Sequence, residues 1–74
     1  MRASEVIVVN PHIMSGTPCF RGTRVPVSTL FDNLASGMTI DEILESWPTL
    51  NRDDVMVVLA DAGTQVVEAA KAAA

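Results

Sequence analysis

Between Ser28 and Ala62 three short amphipathic segments follow one another with almost no chain between them, and this spacing constrains the fold more than any other feature. The first, Ser28 to Ser36, has Ser28 in the capping position, Leu30, Phe31 and Leu34 on one apolar face, and Gly37 as a left-handed stop. The second opens on Thr39-Ile40-Asp41-Glu42, which reads as a capping box with Thr39 as N-cap and Glu42 three residues on. Met38 and Ile43 are spaced to staple that start. Ile40, Ile43, Leu44 and Trp47 form the apolar stripe, and Pro48 ends the segment because it disfavours helical backbone at Trp47. The third begins at Asn51, with Asp53 and Asp54 in a first turn where negative charge suits the helix dipole. Val55, Val58, Leu59, Ala62, Val66 and Ala69 continue one face. Gly63 interrupts it at about 1 kcal/mol relative to alanine, so the helix kinks or ends there unless the Ala62-to-Ala69 periodicity carries it through. The alanine-rich stretch after Lys71 is expected to fray.

Helices this short do not persist in isolation and must pack on one another. Connections as tight as Ser36-Gly37-Met38 and Trp47-Pro48-Thr49-Leu50 leave a compact three-helix unit of the helix-turn-helix kind. Ahead of it lies an extended region. Glu5 to Val9 is dominated by β-branched residues and closes on Asn10-Pro11. A second extended stretch, Pro18 to Val27, carries Gly22 at a turn or bulge. The expectation is a mainly α fold: a short β arm over residues 1–27 and a helical core over 28–74, in one domain. Phe20, Phe31 and Trp47 are the only aromatics, so aliphatic side chains must fill the core, with Trp47 its largest buried group.

Nine acidic residues face five basic ones, a net charge of −4. Nucleic-acid binders usually show a basic footprint, so the balance argues against strong nonspecific DNA affinity and favours a basic protein partner, or a dimer whose few arginines are concentrated on one face. The lone Cys19 rules out an intrachain disulfide and fits a reducing compartment. No apolar run reaches membrane-spanning length and the start lacks an apolar signal-peptide region, so a cytoplasmic protein is expected.

The strings Asn10-Pro11-His12-Ile13, Ser15-Gly16-Thr17-Pro18-Cys19-Phe20-Arg21-Gly22-Thr23-Arg24-Val25-Pro26-Val27, Leu34 to Leu44, and Trp47-Pro48-Thr49-Leu50 with Asp53-Asp54-Val55 resemble domain-of-unknown-function family 433. The resemblance covers roughly residues 5–62 and is most specific in the Gly-x-Pro-x-x-x-Gly-Thr-Arg-x-Pro-Val string. It implies a homeodomain-like fold with an N-terminal β arm. It also implies the antitoxin half of a bacterial toxin–antitoxin pair, beside a ribonuclease toxin of the PIN superfamily. Two departures stand out. Trp47 replaces the family's usual Tyr before Pro, and the third helix opens on Asp53-Asp54 with Arg52 as its one early cation.

These readings give two candidate surfaces. Arg21, Thr23 and Arg24 on the arm, with Asn51 and Arg52 at the start of the third helix, could contact phosphates and bases of operator DNA and so regulate transcription. The competing reading has Arg24 pairing with Glu42 or Glu45 and the polar residues at the helix start serving as caps. Met56, Gly63 and Val67, with Asp61 and Glu68, mark a second flank of the third helix that either docks a partner protein or lies under the chain's own arm. His12 and Cys19 lack an orienting third group, and the carboxylates read as solvated helix faces. No enzyme activity, cofactor, metal or small-molecule substrate is therefore expected. The preferred expectation is a homodimeric antitoxin-like protein whose third helix and tail dock on a basic PIN-like toxin and block its active site, and whose β arm and helix-turn-helix unit bind operator DNA weakly or only in complex, giving autoregulation. Its rivals are an interaction or dimerisation module that never touches DNA, and a stand-alone helix-turn-helix repressor.

Overall fold

A computed structural model describes residues 1–74, and its three helices are α1 (Val27–Ala35), α2 (Ile40–Ser46) and α3 (Arg52–Ala73). Ahead of them β1 (Ile7–Val8) pairs antiparallel with β2 (Cys19–Phe20), Ile7 opposite Phe20 and Val8 opposite Cys19. The strands are far shorter than the extended stretches expected. The chain instead enters through a 3-10 turn at Ala3–Glu5, and after β2 it doubles back on itself. The Phe20 amide donates to the Val25 carbonyl at 3.1 Å and the Val27 amide to the Pro18 carbonyl at 2.9 Å, closing residues 18–27 into a hairpin. Gly22, at φ 71°, makes its turn. Thr23 locks it: its Oγ1 donates to the Phe20 carbonyl at 2.8 Å and accepts from the Val25 amide at 3.0 Å.

Helix α1 starts one residue before the expected position and without Ser28 as cap. Pro26 holds the N-cap position at φ −60°, and the Pro18 carbonyl already takes the Val27 amide, so no side-chain cap is required there. Gly37 ends α1 at φ 103°, with the Met38 amide donating to the Asn33 carbonyl. In α2 the expected capping box is present. Thr39 Oγ1 accepts from the Glu42 amide at 3.1 Å and Glu42 Oε1 accepts from the Thr39 amide at 3.0 Å. Asn51 caps α3 by accepting from the Asp53 and Asp54 amides. That helix runs unbroken through Gly63, where an added Cβ would meet nothing within 4 Å.

One core joins arm and helices. Val6, Phe20 and Val25 from the arm pack with Leu30, Ile43, Leu50, Val55 and Val58. Trp47 is only half-buried, so the largest sealed side chain is Phe20 and not the tryptophan expected. The reason lies in its position: Trp47 is the C-cap of a seven-residue helix, at the edge of the core. The expected apolar face of α3 is buried only as far as Ala62. Val66 and Ala69 are exposed, beyond the stretch of α3 that the rest of the chain covers.

Candidate protein-interaction surface

The hairpin turn carries Arg21 over the first turn of α3. Its guanidinium donates from Nε to Asp54 Oδ2 at 3.1 Å and from a terminal nitrogen to Oδ1 at 2.9 Å, a two-pronged bond. Asp54 is buried and Arg21 about half-exposed, so the pair sits at the boundary of core and solvent and pins the hairpin to the helix. The hydrogen bond and the charge of Asp54 together raise the Arg21 pKa above its already high ordinary value. Arg52 is held by Asp41, which joins the start of α3 to the start of α2. Asn51 spends its side-chain oxygen on the cap.

Of the five residues with potential for DNA contact, four are thus engaged inside the chain: Arg21 with Asp54, Thr23 in the hairpin, Asn51 in the cap and Arg52 with Asp41. Arg24 is the exception. The expected pairing of Arg24 with Glu42 or Glu45 is not formed, because the cation that ties arm to helix is Arg21 and its partner lies on α3. Arg24 instead lines an open cleft of about 610 Å³ together with Val8, Cys19, Val25, Trp47 and Thr49. Half-buried Trp47 is one wall of this cleft.

The exposed surface beside these groups is acidic. Asp41, Glu42 and Glu45 on α2 and Asp53 on α3 all face solvent. Glu42 is held below its ordinary pKa of 4.5, first by the Thr39 amide and then by the Thr39 hydroxyl contact, both of which favour its ionised form. Asp61, expected on a partner-binding flank, is tied inward: its Oδ2 accepts from the Ala3 amide at 2.9 Å. Glu68 lies 4.0 Å from Lys71 on the same helix. Met56, Gly63 and Val67 do share an exposed face, and the chain's own arm does not cover it; Met56 is 48% and Val67 51% exposed.

Two features had little or no signal in the sequence. Asp54 looked like one of two dipole-compensating acids, and only the fold shows that it alone turns inward. Met14, Ser15 and Gly16 all take positive φ, at 51°, 55° and 84°, a left-handed turn that two non-glycine residues seldom adopt. His12 is exposed and Cys19 is buried against the cleft, and nowhere do three histidine, cysteine or carboxylate groups converge. No helix is long and apolar enough to cross a membrane.

A family model described as a protein of unknown function (DUF433) matches residues 7–60. The match therefore ends within α3, before Gly63. A relative in Sinorhizobium fredii (strain NBRC 101917 / NGR234), described as "Uncharacterized protein y4eO", is 40% identical over 53 residues, 72% of this chain and 24% of that protein. The chain thus spans about a quarter of that relative's length. No solved structure matches.

Proposed function

The chain belongs to the DUF433 family, and from that footing we propose that it is an antitoxin-like interaction module which neutralises a basic, PIN-like ribonuclease toxin by binding it directly in the cytoplasm. The observation that carries this reading is how charge is distributed. The cations nearest the start of α3, Arg21 and Arg52, are neutralised by Asp54 and Asp41, while Glu42 and Glu45 on α2 and Asp53 in the first turn of α3 are exposed and form no ion pair. A DNA duplex meets that surface with like charge, whereas a cationic protein meets it with opposite charge. The similarity of this chain to about a quarter of a much longer relative supports a module that works attached to, or alongside, other domains.

The test is co-expression with the protein encoded next to it. A small basic neighbour that arrests growth alone, and is relieved and co-purified by this chain, supports the reading. Glu45→Lys with Asp53→Lys should weaken the complex. Failure to co-purify with any such neighbour, or a double variant that binds as well as the parent, overturns it. A mobility shift on the upstream DNA at two salt concentrations checks operator binding and autoregulation. Retention by the free chain with a steep salt slope would favour the repressor reading.

A further inference from the structure

Three separate stretches of chain build the cleft beside the hairpin: Val8 and Ile13 from the arm, residues of the hairpin itself, and Trp47 and Thr49 from the connection between α2 and α3. Its volume of about 610 Å³ falls within the roughly 300–1,000 Å³ of ordinary small-ligand sites. Buried Cys19 and Val25 close its floor. Trp47 stands half-buried at its wall, and Arg24 and Thr49 are exposed at its rim.

The polar groups around this cleft are few, and their charge has one sign. None of the chain's nine acidic residues lines it. Thr23 spends its hydroxyl inside the hairpin, donating to the Phe20 carbonyl and accepting from the Val25 amide. Arg24 carries the only charge of the lining and forms no ion pair, unlike Arg21, Arg52 and Lys71. Apolar walls with one uncompensated guanidinium suit a ligand that has an apolar body and a single negative charge.

We propose that the cleft binds a small organic carboxylate, its planar apolar body against Trp47 and its carboxylate on Arg24. This goes beyond the interaction-module reading and does not depend on it, since Glu42, Glu45 and Asp53 line no part of the cleft. Three comparisons select the ligand class. A carboxylate brings one charge, which one guanidinium balances, whereas a nucleic acid brings a run of phosphates to a chain of net charge −4. An extended peptide is held by main-chain bonds along a strand edge, and β1, the strand with an open edge here, is two residues long. A neutral hydrocarbon would cover Arg24 without pairing it. Because Arg24 is exposed, its pairing supplies a few-fold in affinity and the apolar contact supplies the rest.

Titration of the isotope-labelled full chain with naphthoate, and with naphthamide as its neutral counterpart, tests this by two-dimensional NMR. Naphthoate should shift the Trp47 indole and the hairpin amides saturably, with a dissociation constant on the order of 0.1–1 mM. It should bind about 3-fold more tightly than naphthamide, a preference that added salt erodes. Arg24→Gln removes no internal contact, so it should fold as the parent does, bind naphthamide unchanged and lose the preference for naphthoate. Trp47→Leu keeps an apolar group at the rim and should weaken both probes about 3-fold or more. The proposal is overturned if neither probe gives saturable shifts below about 5 mM, if the two bind equally well, if the preference survives Arg24→Gln, or if the shifts lie away from the cleft. A blocked tripeptide with glutamate between two leucines that binds more tightly than naphthoate would make this a peptide site and overturn it as well.

Discussion

Phe20 sits on a two-residue strand, 1% exposed, among helix residues Leu30, Ile43 and Val55. If arm and helices share one core, truncating this arm residue should destabilise the whole chain. Phe20→Ala removes a sealed aromatic ring and should cost about 3–5 kcal/mol. A 74-residue domain has roughly 4–11 kcal/mol in total at the usual 0.05–0.15 kcal/mol per residue. The variant should therefore lose a large share of that stability and melt far below the parent. Phe20→Leu keeps most of the volume and should cost about 1 kcal/mol, lowering the melting temperature by about 4–8 °C. The assay is thermal unfolding followed by far-ultraviolet circular dichroism, which reports the helices, and by fluorescence of Trp47 at the hairpin cleft. Both signals should fall together in parent and Phe20→Leu, because one cooperative unit has one transition. Helices in Phe20→Ala that melt within a few degrees of the parent, or two separated transitions, would show the arm to be an appendage and refute the shared core.

Trp47→Ala should cost less than Phe20→Ala, since the indole is only half-buried at the rim of a cleft; chemical denaturation of the two variants side by side checks the order. Removing either partner of the Arg21–Asp54 pair should lower stability, and Arg21→Lys should not rescue it, because an ammonium cannot span both carboxylate oxygens; a double-mutant cycle with Asp54→Ala reads the coupling. By contrast Arg52→Ala breaks only an exposed pair and should cost at most about 1 kcal/mol in the same measurement. Glu42 has its pKa depressed by folding, so its contribution is complete above 4.5 and is lost as pH falls through the lower folded value. Glu42→Gln should therefore flatten the fall of melting temperature on acidification below 4.5.

The parts of the fold legible beforehand were those set by local rules. The capping box at Thr39 and Glu42, the Asn51 cap and the glycine stop at Gly37 each depend on neighbours within four residues, and each is where the spacing put it. The misreadings all involved the third dimension. Trp47 lay on the right stripe, but at the last position of a short helix, where the core thins out. Val66 and Ala69 continued the periodicity of a buried face past the height at which anything covers it. Arg21 and Arg24 have the same chemistry three residues apart, and only the path of the hairpin decides which of them reaches Asp54. The candidate interaction flank was visible as Met56, Gly63 and Val67, and whether the three share one helix face was decided only by the helix passing Gly63 unbroken.

The helix-turn-helix likeness and the charge of the chain pull in opposite directions, and the ion pairs explain how both can hold. A helix-turn-helix unit reads DNA with the first residues of its last helix, backed by cations that grip phosphate. Here those positions are Asn51, Arg52, Asp53 and Met56. Asn51 and Arg52 hold the turn together, Asp53 repels phosphate, and Asp54 behind them neutralises the nearest arginine of the arm. The trihelical geometry is retained, and the polar groups that would read bases serve instead to brace it. Asp53 and Met56 are the two of the four whose side chains have no internal partner, and both are exposed. The surface left turned outward around them is acidic, with Asp41, Glu42, Glu45 and Asp53 all exposed. On the proposed reading that surface meets a protein partner, and giving the scaffold DNA affinity would require undoing the pairs with Asp41 and Asp54 as well as adding positive charge.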